Sequence, residues 1–185
     1  MQATRRAIGL AVLAALVFLS GSGPGKAGSA AEINAGVNAT LDMIFHQIPG
    51  TRVLAGRAAG ILVFPTVLKA GMGFGGEYGE GAMRVGGRTV AYYNTISASV
   101  GLQFGAQARS VVIMFMTPDA LWSFQRTDGW KVGVDGSIAL ITVGAGGSID
   151  TDRITSPVIG FILDNKGLMY NLTLEGSKIS RIDRY

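Results

Sequence analysis

A glycine-rich stretch between residues 69 and 81 constrains the fold of this chain more than any other part of its sequence. It reads Lys-Ala-Gly-Met-Gly-Phe-Gly-Gly-Glu-Tyr-Gly-Glu-Gly, so that glycines alternate with larger side chains at the two-residue period of a β-strand. Glycine weakens the interior of a strand, and it is usually found there because the backbone bends tightly or because another backbone or a ligand approaches closely. We therefore predict a strongly bent strand at this place.

The beginning of the chain predicts a secretory signal peptide over residues 1–31, followed by a single domain over residues 32–185. Arg5 and Arg6 precede an apolar run from Ala7 to Leu19, and small residues follow that run. A basic start, a short apolar run and small residues before a cleavage point are typical of an export signal. The run is shorter than the roughly 20 residues that span a bilayer. We expect an exported protein, located in the periplasm, in the outer envelope or outside the cell.

Cleavage is expected after Ala31, where Ser29 is the third residue back, and the small residues from Ala27 to Ala30 offer other sites. The signal carries three basic side chains and no acidic one, so its removal leaves 13 basic against 12 acidic residues, a net charge of +1. A domain without a bulk basic excess has no electrostatic reason to bind nucleic acid. Nucleic acid is therefore not an expected partner.

The residues after this signal predict an amphipathic helix over residues 32–48. Its apolar side chains are spaced by three and four, which confines them to an arc of about 120° on the helix surface. We call them the apolar stripe: Ile33, Val37, Leu41, Ile44, Phe45 and Ile48. The stripe permits two interpretations, insertion into a membrane interface or packing on the sheet.

Two shorter helices are indicated. The first covers residues 51–59, with Thr51 as its cap and with Arg52 and Arg57 pointing outward. The second covers residues 117–125, because Thr117-Pro118-Asp119 supplies a cap, a proline at the first helical position and an early acid.

The rest of the chain has the pattern of successive strands. The predicted segments are 61–64, 66–78, 83–85, 88–93, 97–108, 111–116, 130–134, 138–143, 158–163, 168–174 and 178–182. The turn Gly86-Gly87 indicates a hairpin, and the uniformly apolar run Val111–Met116 is typical of a strand covered on both faces. We predict an α+β domain: an N-terminal amphipathic helix, a strongly curved, mostly antiparallel, barrel-like sheet and one short additional helix.

Candidate cofactor and catalytic motifs are weak. Gly71, Gly73 and Gly76 match the dinucleotide fingerprint, but that fingerprint needs a helix directly afterwards, and here acids and further glycines follow. The carboxylates Glu77 and Glu80 are three apart in a strand, which places them on opposite faces.

The chain has no cysteine and a single histidine, His46, so thiol chemistry and cysteine-ligated metals are excluded and a Ser-His-Asp set has only one possible centre. We predict no cofactor, no metal site and no catalytic residue, and hence a protein that is not an enzyme.

Three ordered segments resemble a known family. They are residues 69–81, residues 100–107 followed by the run 111–116, and Lys166-Gly167-Leu168 followed by residues 174–177. The chain resembles the SYLF family, the lipid-binding domain that is also found in yeast actin-patch proteins, over roughly residues 50–183. The resemblance implies phospholipid binding. In eukaryotic members a basic amphipathic helix binds phosphoinositides and some members bind actin.

The helix at 32–48 departs from that pattern because it contains no lysine or arginine. We therefore expect a phospholipid membrane as the partner, and we expect neither actin, because the protein is exported, nor a particular headgroup. The predicted lipid-binding residues are the apolar stripe together with Arg52, Arg57 and Lys69, whose cations would meet lipid phosphates. The alternative is a structural or protein-interaction module of the envelope, with the sheet face around Gln103 and Gln107 as its partner surface.

Overall fold

The computed structural model describes residues 28–141, 149, 151, 154–164, 167–168 and 174–185. Within β1 and β2 the side chains of residues 71–74 and 99–106 are outside this description. The helices are α1 (Ala30–Gln47), α2 (Gly50–Arg57) and α3 (Pro118–Arg126). The strands are β1 (Gly60–Val85), β2 (Arg88–Phe115), β3 (Trp130–Lys131), β4 (Ala139–Leu140), β5 (Val158–Asp164), β6 (Gly167–Leu168) and β7 (Lys178–Ile182). This is the predicted α+β class, and the sheet curls strongly into a half-barrel.

One long hairpin forms the centre of the sheet. Strands β1 and β2, of 26 and 28 residues, pair antiparallel from Gly60 with Phe115 to Val85 with Arg88. The predicted turn Gly86-Gly87 is confirmed, and both of its glycines have positive φ. The prediction of several shorter strands is wrong, because a register shift next to Pro65 absorbs that residue without ending β1.

The other edge of β2 holds the remaining strands. β7 pairs with residues 92–96 of β2 and β5 pairs with residues 110–115, both antiparallel. β3 extends the sheet beyond β7, and β4 and β6 both pair with β5. The β4–β5 pair is parallel, so the sheet is mixed although most of it is antiparallel.

The glycine-rich stretch is explained by close approach of the strand to itself. The curl of β1 brings its second half against its first, so that a Cβ atom on Gly79 would lie 2.8 Å from the carbonyl oxygen of Thr66. A Cβ atom on Gly81 would collide with the carbonyl oxygen of Val63. Only glycine leaves room for a backbone at this distance, as the sequence predicts.

The hairpin has two buried faces. We call the inner face the one that carries Phe64, Val111, Ile113 and Phe115, which packs with α3 and with residues from both ends of the hairpin. The ring of Phe124, on α3, lies at the centre of this face. The rings of Phe115, Tyr93 and Trp130 lie at centroid distances of 4.8, 5.1 and 5.5 Å from it.

We call the outer face the one that carries Val63, Val112 and Met114, which α1 and α2 cover. Residues 111–115 are buried throughout, as predicted for a strand covered on both faces.

The helix ends follow local capping rules with one exception. α1 begins two residues earlier than predicted, because Ser29 and Glu32 form a reciprocal capping box. Thr117 caps α3 as predicted, and its hydroxyl accepts from the Ala120 amide at 3.2 Å. The prediction that Thr51 caps α2 is wrong: this residue is fully buried, and its hydroxyl donates to the carbonyl of Ile48 at 2.6 Å.

Candidate functional site

Most of the apolar stripe of α1 lies in the core. Ile33, Val37, Ile44 and Ile48 are at most 5% exposed and pack against the outer face of the sheet. Of the two interpretations that the sequence leaves open, the structure therefore has the helix packed on the sheet. These four side chains could meet acyl chains only if α1 left the sheet.

The other two members of the stripe, Leu41 and Phe45, are half-buried and reach a surface crevice. The crevice lies between α1, α2 and the hairpin turn, and its volume of about 340 Å³ falls within the range of small-molecule sites. Its walls are mostly apolar, with contributions from Ala55, Ala58 and Ile61. We call it the helix crevice.

Arg84 supplies the charge in the helix crevice. Its guanidinium donates to Asn38 Oδ1 at 2.8 Å and to the carbonyl of Gly87 at 3.5 Å, while its buried Nε has no partner among the described residues. An orphaned buried donor is costly unless a further group accepts from it. Sequence reasoning missed Arg84, and the only available signal was its position next to the Gly86-Gly87 turn.

Arg52 and Arg57 lie on the exposed side of α2, as predicted. The guanidinium of Arg52 lies over the ring of Phe45, at 4.8 Å from its centroid, so a cation and the rim of the helix crevice are in direct contact. Val53, next in the chain, is 49% exposed. The rim therefore combines exposed positive charge with exposed apolar surface.

Lys69 lies elsewhere. Its ammonium pairs with Glu77 at 3.6 Å, and Glu77 also pairs with the buried Arg109 on the inner face. The structure thus does not bring Lys69 together with Arg52 and Arg57. The cavity beside Arg109 has a volume of about 10 Å³, which holds about one water molecule and no larger ligand.

Glu77 and Glu80 lie on opposite faces of the sheet, as predicted from their spacing. Glu80 accepts from Tyr78 at 2.6 Å, from the Gly28 amide at 3.0 Å and from the guanidinium of Arg184. Burial alone would raise the pKa of the Glu80 carboxyl, but these hydrogen bonds and the charge of Arg184 hold that pKa below its usual value. Burial and the contact with Glu80 raise the pKa of the Tyr78 hydroxyl. Tyr78, Arg184 and the Gly28 amide all hydrogen-bond to Glu80, so we assign this cluster a structural role.

Three other sequence candidates are placed as follows. His46 is exposed on α1. Gly71, Gly73 and Gly76 lie within β1, which continues to Val85, so the helix that a dinucleotide needs does not follow them. The side chain of Gln103 lies outside the described residues, and Gln107 is exposed on β2.

Two absences hold for the part of the chain that the structure describes. None of its helices is both long enough and apolar enough to cross a membrane. It also contains no group of three or more His, Cys, Asp or Glu side chains that could hold a metal ion.

The described residues thus form a half-barrel sheet with a helix-lined crevice that carries positive charge at its rim. Residues 96–184 match the model of the Ysc84 family, described as Las17-binding protein actin regulator. This match confirms the predicted SYLF resemblance over residues 96–184, and the matched family is associated with lipids and actin regulators. A search of curated proteins gives no match.

Proposed function

We propose that the protein is a non-catalytic, phospholipid-binding protein of a bacterial cell envelope. The observation that carries the proposal is the helix crevice, where apolar walls meet the guanidinium of Arg84 and where the exposed guanidinium of Arg52 lies over Phe45 at the rim. A phospholipid offers the matching pair of groups, an anionic phosphate and apolar chains. The family match over residues 96–184 supports lipid binding in general.

The lipid phosphate accepts from Arg84 and Arg52, while the glycerol and the first methylenes of an acyl chain pack against Leu41 and Phe45. Each basic residue near an anionic surface contributes about 1 kcal/mol. Val53 and Arg57 of α2 extend this contact along the membrane surface. The buried members of the apolar stripe hold α1 on the sheet and do not insert into the membrane. Lys69 contributes to the overall electrostatic attraction between the protein surface and anionic lipids.

Co-sedimentation of residues 28–185 with anionic and zwitterionic vesicles tests the function. We expect binding to anionic vesicles, and the absence of binding to both kinds would reject the proposal. Self-association in solution without any response to lipid would favour the alternative, a protein-interaction module of the envelope.

The double variant Arg52→Gln/Arg84→Gln tests the site. Removing two cations that are each worth about 1 kcal/mol weakens vesicle binding roughly ten- to thirty-fold. Arg126→Gln is a matched control, because Arg126 also stacks on an aromatic ring, that of Trp122 at 4.5 Å, but lies on α3 at the inner side of the sheet. Equal losses in both variants would show that the contact is not at the helix crevice.

A further inference from the structure

Three groups of the helix crevice that could attract a cation are already in contact with guanidinium groups of the protein. Asn38 Oδ1 and the carbonyl of Gly87 both accept from Arg84, at 2.8 and 3.5 Å. The electron-rich face of an aromatic ring attracts a cation, but the ring of Phe45 has the guanidinium of Arg52 over it, 4.8 Å from the centroid. These three groups are therefore not open to a cationic group of a ligand.

The described residues that line the helix crevice include no carboxylate. Apart from Asn38 and Arg84, they are glycines and apolar side chains. Asp42 follows Leu41 in the chain, but it lies about 100° further around α1, is exposed and does not line the crevice. An ammonium that enters the crevice therefore meets guanidinium cations and, among these lining residues, no anion.

The opposite flank of α1 differs in this respect. The groove of about 520 Å³ between α1 and β1 is lined by two carboxylates, those of Glu32 and Glu80. At about 100° per residue, Glu32 and Gly36 lie on one side of the buried part of the apolar stripe, and Leu41 and Phe45 lie on the other side. The lack of carboxylates thus distinguishes the helix crevice from the other groove beside the same helix.

We propose that the helix crevice selects phospholipids whose headgroup carries no ammonium, such as phosphatidylglycerol, over those that carry one, such as phosphatidylserine. The lipid phosphate accepts from Arg84 and Arg52, so the group that is esterified to it lies beside both cations. The hydroxyls of a glycerol headgroup are uncharged, whereas an ammonium is repelled by the two guanidinium groups. The inference rests on the phospholipid binding proposed above and adds the class of headgroup to it.

Vesicles of equal charge provide the direct test. Phosphatidylglycerol and phosphatidylserine have the same net charge at pH 7, but only phosphatidylserine carries an ammonium. Co-sedimentation compares phosphatidylcholine vesicles that contain the same fraction of one lipid or the other, with the same protein preparation as in the functional test. We expect about five-fold tighter binding to phosphatidylglycerol, which corresponds to the repulsion of two like charges about 4 Å apart in water. Equal binding, or tighter binding to phosphatidylserine, would overturn the selectivity alone, and binding to neither would reject both proposals.

Arg52→Gln tests the residue that sets the selectivity. The substitution removes an exposed cation and uncovers the ring of Phe45, so the preference for phosphatidylglycerol is expected to fall below about two-fold. Arg57→Gln is the matched control, because it removes the same charge from an exposed position of α2 that lies about 140° further around the helix. It should weaken binding to both lipids equally and leave their ratio unchanged. The same loss of preference in both variants would contradict the role of Arg52 over Phe45.

Asn38→Asp supplies the carboxylate that the lining of the helix crevice lacks. Asn38 is exposed on α1, and aspartate has nearly the same size and still accepts from Arg84, so the fold is expected to persist in thermal melts. Binding to phosphatidylglycerol should weaken, whereas the ammonium of phosphatidylserine gains a counter-ion. We expect the preference between the two lipids to disappear or to reverse. An unchanged preference in the folded variant would overturn the proposal that the crevice reads the headgroup.

Discussion

The two faces of the long hairpin are filled in different ways. The inner face is filled mainly by the curled sheet itself and by the single helix α3, and its cavity beside Arg109 has room for about one water molecule. The outer face is covered by α1 and α2, which precede the sheet in the chain and leave open grooves of about 340 and 520 Å³ at their edges.

The difference indicates how structure and binding are divided in this fold. The curled sheet packs against itself and α3, and the cavity that the described residues form beside Arg109 is too small for a ligand, so we infer that the inner face serves stability. The helices on the outer face leave grooves at their edges, and one of these grooves is lined by Arg84. We therefore expect substitutions on the inner face to lower the stability of the fold. Some substitutions on the outer side should change binding alone.

The largest effect is expected for Gly81→Ala on the inner face. A Cβ atom there collides with the backbone of Val63, which a neighbouring side chain cannot relieve. We expect a loss of more than about 5 kcal/mol in the free energy of unfolding, enough to prevent folding of a domain of this size. Circular dichroism and thermal melts measure it.

Gly56→Ala is the matched control for that change. Gly56 is exposed in α2, and a Cβ atom there meets nothing within 4 Å. Because alanine has the higher helix propensity, we expect a gain of about 0.5 kcal/mol. Similar losses in both variants would mean that the curl of β1 is not the reason for its glycines.

Two adjacent residues of α1 separate packing from binding on the outer side. Ile44 is fully buried, so Ile44→Asp places an unpaired charge in the core and is expected to cost about 4 kcal/mol. Phe45 is half-buried at the crevice, so Phe45→Asp should leave the Tm within a few degrees while vesicle binding falls at least tenfold. Thermal melts and co-sedimentation with vesicles, measured on both variants, test these two expectations. Retained binding in a folded Phe45→Asp protein would contradict the proposed site.

Much of the fold can be predicted from local sequence signals. The period of α1, the Gly86-Gly87 turn and the cap at Thr117 each follow from short-range rules, and each is confirmed. The continuity of β1 and β2 is not predictable in this way, because proline normally ends a central strand and here a bulge accommodates it. The predicted cap at Thr51 is wrong for a similar reason: its buried hydroxyl donates to the carbonyl of Ile48, the residue that ends α1, instead of capping its own helix.

The candidate site was predictable only in part. The stripe placed Leu41 and Phe45 correctly on one side of α1, but periodicity does not tell which edge of the stripe remains accessible after packing. Arg84 joins these residues through the tertiary fold, 39 positions after Phe45 in the numbering. Nearness in the sequence groups Lys69 with Arg52 and Arg57, whereas in the structure the ammonium of Lys69 pairs with Glu77.

A smaller effect on stability is expected for Glu77→Gln on the inner face. Arg109 is buried there and pairs with Glu77, so the substitution leaves a cation without its counter-ion and leaves Lys69 close to it. Breaking a buried pair from one side costs several kcal/mol, and because glutamine still accepts a hydrogen bond we expect about 3 kcal/mol. Denaturant titration measures it. A cost below about 1 kcal/mol would show that water reaches the pair.

The smallest effect concerns Glu80 on the outer face, and it depends on pH. The hydrogen bonds from Arg184, Tyr78 and Gly28 hold the pKa of Glu80 below its value in the unfolded chain, so the ionised form contributes stability above that unfolded value of about 4.3. This contribution is lost as the pH falls through the folded pKa. Glu80→Gln should therefore be less stable than the unchanged chain by about 1 kcal/mol at pH 7, and the two should converge as the pH falls through the folded pKa of Glu80. Thermal melts between pH 3 and pH 7 measure the difference, and a gap that stays constant over this range would mean that the charge of the Glu80 carboxylate does not contribute to its contacts with Gly28 and Arg184.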